Sequence, residues 1–249
     1  MPGVLILSGV QDITFDGRDL TEFGCVITEP PDRPFPKRRY DRQTVYGRSG
    51  DLIVDNESYD NITITYKIAT VPGLYGHRFV DEVLTELKAW LCSSVDYKKL
   101  YDSELPDGFY YAFCSGISNA VCTFDEMYEF SISFSLKPHF YFDAGQKTVS
   151  TSERTLILHN FTDYAAEPVI TLFGNGLLGC NFNGRYCIVK DVVGSVRIDC
   201  EAMSVYSGGV NKFDDFSGLY PALSKGNTTL SFTGTEYQRA EVIPRWRRL

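Results

Sequence analysis

TVYGRSGDLIVDNESYDNITITYKI (residues 44–68) decides how the chain is read. In its second half Ile62, Ile64, Tyr66 and Ile68 alternate with Thr63, Thr65 and Lys67. Successive side chains of a strand point to opposite sides, so this period of two predicts a strand with one buried, β-branched and aromatic face. The first half, YGRSGDL, lacks the Lys-Ser/Thr ending of a phosphate loop and runs into apolar residues of strand type rather than a helix, so its amides do not gather round an anion. It reads as a bend feeding a strand at residues 52–54, with DNESYDN joining that strand to a partner at Ile62.

Working outward, Phe130, Ile132, Phe134 and Leu136 repeat the alternation against Ser131, Ser133 and Ser135. Between the two runs lies the one convincing helix, residues 77–92, where Phe79, Val80, Val83, Leu84, Leu87, Trp90 and Leu91 recur at helical spacing. Asp81, Glu82, Glu86 and Lys88 take its other face, so the helix covers a sheet and Trp90 belongs to the core. Further strands are expected from residue 4, at 13–15, 25–27, 109–114 and 121–124. The first half is therefore α+β: a β-sandwich carrying one helix.

The texture changes across KPHFYFDAGQKTVSTSER (residues 137–154), which combines Pro138, Gly145 and a polar run. A boundary there gives domains 1–139 and 140–249. Beyond it, short strands are expected at 155–158, 168–173, 186–189, 196–200, 229–232 and 240–246, separated by GNG, FNGR and SGG turns. That pattern predicts an all-β sandwich. Pro244, with no amide to give, should sit on an edge or at a bulge.

Aromatic residues make up 14% of the 249, with 16 Tyr and 17 Phe, an excess that suits strands and large contact surfaces. No stretch approaches the ~20 apolar residues of a membrane helix, and residues 4–7 form an apolar run with no basic residue before it. The expectation is a protein that folds in a cytoplasm and meets no membrane. Seven cysteines, an odd number without a CxxC pair or clustered His, read as core thiols rather than as disulfides or zinc ligands. The sequons at Asn56, Asn61, Asn160 and Asn227 read as chance matches without a secretory route.

Catalytic constellations are missing. His77, His139 and His159 stand in YGHRF, KPHFY and LHNFT, without a nucleophile elbow. The acidic pairs Asp125 with Glu126, Asp199 with Glu201 and Asp214 with Asp215 read as solvated charges, and NKFDDFSG (211–218) supplies oxygens without the spacing of a calcium loop. No catalytic, cofactor or metal residue is expected.

A net charge of −8 and a pI near 5.0 disfavour nucleic-acid partners. Residues 33–48 reverse it locally: Arg33, Lys37, Arg38, Arg39, Arg42 and Arg48 face one acid, Asp41. This run overlaps PPDRPFPKRRYDRQ (30–43), whose four prolines favour extended backbone outside a regular sheet. It reads as an arm that grips a neighbouring acidic copy. Arg38, Arg39, Tyr40 and Arg42, continuing through Tyr46 and Arg48, are the candidate subunit contact.

FDGRDLTEFGCVI (15–27), the basic stretch, GRSGDLIVDNESYDNITITYKI (47–68), AAEPVITLFGNG (165–176) and the terminal VIPRWRRL follow one another in an order that resembles the distal tail proteins (Dit) of long-tailed, siphovirus-type bacteriophages. The resemblance implies a mainly β fold with one helix: an N-terminal ring-forming β-sandwich related to tube proteins and a galectin-like C-terminal sandwich. It implies a structural, non-enzymatic protein of the virion tail tip, assembled in the host bacterial cytoplasm. Its partners would be five further copies in a hexameric ring, the tail tube protein, the tail-associated fibre or lysin protein and, in many phages, receptor-binding proteins. The alternative is a carbohydrate-binding protein that recognises a host cell-wall saccharide through the C-terminal sandwich, with Trp246 in the core rather than serving as a sugar platform.

Overall fold

The computed structural model describes residues 11–71, 74, 79–124 and 127–249, and is mainly β with one α-helix among the described residues. The strand expected from residue 4, His77 and the Asp125–Glu126 pair fall outside them. The chain divides into two compact units, residues 1–140 with Leu249, and residues 141–248.

Unit 1 contains β1 (Ile13–Phe15), β2 (Arg18–Asp19), β3 (Cys25–Glu29), β4 (Arg38–Gln43), β5 (Leu52–Tyr59), β6 (Ile62–Thr70), α1 (Val80–Leu91), β7 (Lys98–Asp102), β8 (Gly108–Ile117), β9 (Val121–Phe124) and the long β10 (Met127–Phe142), which continues into unit 2. One antiparallel sheet runs β2-β1-β7-β8-β10-β6-β3, with β9 alongside β10. The two alternating runs are direct neighbours, Phe130 opposite Ile68 and Phe134 opposite Ile64. Their apolar sides are buried while Thr65 and Ser133 meet outside, 2.9 Å apart.

Helix α1 lays Val83, Leu87, Trp90 and Leu91 into that core. Trp90 stacks on Phe23 at 4.8 Å and donates its indole N–H to the carbonyl of Phe15 at 3.0 Å, which satisfies its one polar atom. Phe79, expected on the helical face, is the extended cap residue and lies exposed.

Unit 2 runs β11 (Val149–Thr151), β12 (Thr155–Asn160), β13 (Val169–Phe173), β14 (Gly176–Phe182), β15 (Arg185–Val192), β16 (Ser195–Asp199), β17 (Ser204–Ser207), β18 (Val210–Asn211), β19 (Phe216–Gly218), β20 (Gly226–Thr233), β21 (Arg239–Ile243) and β22 (Arg247–Arg248). Two antiparallel sheets, β11-β21-β13-β16-β17-β18 and β12-β20-β14-β15-β19, share one core in which Ile170, Val196 and Val242 of the first meet Cys180, Val189 and Phe232 of the second. Alternating residues of both sheets fill it, as in a sandwich. The expected strand over 240–246 stops at Ile243, because Pro244 has no amide to continue the ladder, and Trp246 beyond it is buried.

Candidate subunit-contact hairpin

The basic run does not stay an isolated extended arm. Arg38–Gln43 forms β4 and pairs antiparallel with β5, Tyr40 opposite Asp55 and Arg42 opposite Ile53. The strand expected at 52–54 therefore continues through DNESY, and its partner lies upstream rather than at Ile62. Polar Asp55, Asn56 and Glu57 are tolerated because every residue from Lys37 to Asn56 is exposed, so neither face demands apolar side chains. Gly47 and Gly50, at φ +78° and +85°, supply the left-handed turn, as the bend reading of YGRSGDL requires.

The hairpin is closed at its base by the amide of Asp60 donating to the carbonyl of Lys37 at 2.8 Å. Tyr59, at the end of β5, stands edge-on to His139 of β10, ring centroids 6.2 Å apart. Exposed apolar groups run along it: Tyr40, Val45, Tyr46, Leu52, Ile53 and Val54, with Ile53 63% accessible.

Two of its cations, Arg38 and Arg39, are answered by acids of the same copy. Arg38 donates to both oxygens of Asp55 and lies over the ring of Tyr59 at 5.6 Å. The hydrogen bond from Arg38, before any Coulomb attraction, holds the Asp55 carboxyl below its usual range, and Asp55 in turn raises Arg38. Arg39 Nε donates to Asp60 at 2.6 Å, and Arg42 donates to the Tyr40 hydroxyl at 3.0 Å. Arg33, counted with the basic run, instead reaches the buried Asp102 at 2.7 Å and Glu104 at 3.0 Å. The six candidate residues thus share one exposed hairpin, with Tyr46 and Arg48 in its turn, but Arg38 and Arg39 are not bare cations. Sequence spacing could not show this, since the answering acids are 17 and 21 positions away.

Other acids singled out in the sequence make contacts within the fold. Asp199 and Glu201 both face Arg245, at 2.7 and 3.6 Å. Asp215 pairs with Lys212 at 2.8 Å, and Asn211 accepts the amide of Phe213. Buried Asp102 accepts from Tyr66 at 2.9 Å, from Gln11 and from Arg33, a network that no local pattern announces. Burial first, and the Asp102 charge second, push the Tyr66 hydroxyl well above its ordinary value. Among the described residues no cluster of three His, Cys, Asp or Glu could hold a metal, and no helix is long and apolar enough to cross a membrane.

Two β units in tandem, the first with one helix and a hairpin bare along both strands, define a mainly β protein with an exposed contact element. The crystal structure of SPP1 Dit (gp 19.1), described as a paradigm of the hub adsorption apparatus in phages infecting Gram-positive bacteria, has the same fold. The match has a TM-score of 0.69 at 15% identity and covers 96% of this chain and 100% of that one. No protein-family model and no curated protein matches the chain.

Proposed function

We propose that this protein is a structural component of a phage tail tip: a hub ring, built of six copies, that joins the tail tube to the tail-associated fibre or lysin protein and through it to receptor-binding proteins. The observation that carries the proposal is the end-to-end fold likeness to SPP1 Dit, which spans both units. A cyclic ring needs a heterologous contact, one patch meeting a different patch on the neighbour. The β4–β5 hairpin suits one side, because its apolar residues are exposed in the single chain. Assembly takes place in the host bacterial cytoplasm and the product resides in the virion, with no catalytic step and no cofactor. Electron microscopy of the purified chain, alone and with tail tube protein, tests this: six-fold rings with a central channel are expected, and single copies under both conditions would overturn it.

A second reading, saccharide binding by unit 2, is favoured by one feature. Thr155, Ser231, Asn181 and Tyr186 form one row across β12, β20, β14 and β15, an uncharged hydrogen-bonding surface with an exposed ring at its end. A glycan array with the full chain decides it; loss of any signal in Tyr186→Ala is expected, and a blank array removes the reading.

A further inference from the structure

Unit 1 carries a second surface with unmet hydrogen-bonding groups. Among the described residues β3 ends the sheet and pairs on one side only, with β6. The amide of Val71 donates to the carbonyl of Gly24 at 2.9 Å, where the chains enter this ladder. Hydrogen-bonded and non-bonded pairs alternate along an antiparallel ladder, so the peptide groups of Val26 face β6 and those of Ile27 face away. On that outer side Ile27 meets no backbone partner among the described residues.

This edge opens on a cleft of about 620 Å³ lined by residues 27–30, Ile27, Thr28, Glu29 and Pro30, together with Gln11, Ser103 and Glu104. Behind it, already enclosed by the fold, the amide oxygen of Gln11 and Nη1 of Arg33 have no hydrogen-bond partner among the described residues. Gln11 Nε2 donates to Asp102, and Arg33 Nη2 donates to Asp102 and Glu104. The outward N–H and C=O of Ile27 match what an extended polypeptide brings, one N–H and one C=O per residue.

The hairpin offers such a strand. Among the described residues β4 and β5, six and eight residues long, pair only with each other, so each keeps one bare edge. We infer that the cleft beside β3 receives an edge of the β4–β5 hairpin from a second copy, so that the unit 1 sheet of one copy continues into the hairpin of the next. This rests on the ring reading above and names the two patches of its interface.

The test uses the full chain with p-benzoylphenylalanine in place of Ile53, mixed with isotope-labelled wild-type chain and irradiated under the conditions used for microscopy. Inter-chain links from position 53 to residues 27–30 and 103–104 are expected. They should fall at least tenfold when the labelled chain carries Ile27→Pro, which deletes the outward N–H, or Thr28→Trp, which fills the cleft and keeps every backbone amide, giving up only the Thr28 hydroxyl's bond to the carbonyl of Lys67. Rings in the micrographs with inter-chain links elsewhere, or none, overturn this inference and leave the ring standing. Absence of both rings and links overturns the two together.

Discussion

Arg38 and Asp55 face each other across the β4–β5 hairpin, with Nε 2.9 Å from Oδ1 and a second contact from the terminal nitrogen to Oδ2. The cation that the sequence offers to a neighbour is therefore already engaged in its own copy. Reversal of Arg38, Arg39 and Arg42 to Glu is expected to weaken ring formation by setting like charges against Asp55 and Asp60 inside the hairpin. The swap Arg38→Asp with Asp55→Arg should then assemble as wild type in light scattering. A swap that fails to assemble would mean that a partner reads the sign of Arg38 itself.

Contact through the exposed apolar residues predicts a different signature. Ile53→Asp and Tyr46→Ser should weaken association at least tenfold, about 1.4 kcal/mol, while leaving unfolding of the single chain within about 0.5 kcal/mol, as for exposed sites generally. Because Arg38 and Arg39 are neutralised within the hairpin, assembly should persist in 0.5 M salt, where the Debye length is short. Native mass measurement across salt concentrations checks both points.

Trp90 joins α1 to the sheet through its stack on Phe23 and its bond to Phe15. Trp90→Ala is expected to cost about 3–5 kcal/mol, in the range of large-to-small core changes. Trp90→Phe should cost about 1 kcal/mol through the carbonyl of Phe15 left without its donor. Denaturant titration separates the two, and equal losses would contradict the stacking account.

Acid should loosen unit 2 through Asp199. Burial alone would push its carboxyl up, but hydrogen bonds from Arg245 and from the amide of Ala202 outweigh burial and leave it below its ordinary value. A carboxyl depressed on folding contributes stability above its unfolded value of about 3.9, and that contribution is lost as pH falls through the lower folded value. Arg245→Met should therefore destabilise unit 2 by about 2 kcal/mol at neutral pH, and its deficit against wild type should shrink below about pH 4. A deficit that stays constant from pH 7 to pH 2.5 would show that Arg245 acts by packing.

Thiol reactivity should follow burial. Cys92 and Cys122 are exposed, Cys114 is half-buried, and Cys25, Cys180, Cys187 and Cys200 are buried. Burial pushes the Cys187 thiol up to about 11, so little of it is the reactive thiolate. A chromogenic disulfide reagent at pH 8 should label Cys92 and Cys122 quickly, Cys114 slowly and the other four only on unfolding; fast labelling of Cys187 would show that the core of unit 2 opens.

Much of this was legible in the chain. The alternation at Ile62 and Phe130 determined both strands and their buried faces, because period two is the geometry of a strand lying on a core. The apolar stripe through Val83, Leu87 and Trp90 likewise determined the helix and the face it buries. The extent and partner of β5 were decided by the tertiary structure alone. A strand exposed on both faces carries no hydrophobic register, so DNESY reads as a turn and pairs as a strand, and its partner is selected by the bend at Gly47 and Gly50. The same holds for charge. Sequence counts the cations between Arg33 and Arg48, but only folding brings Asp102, Asp55 and Asp60 beside them, since an ion pair depends on distance in space and leaves no periodicity along the chain.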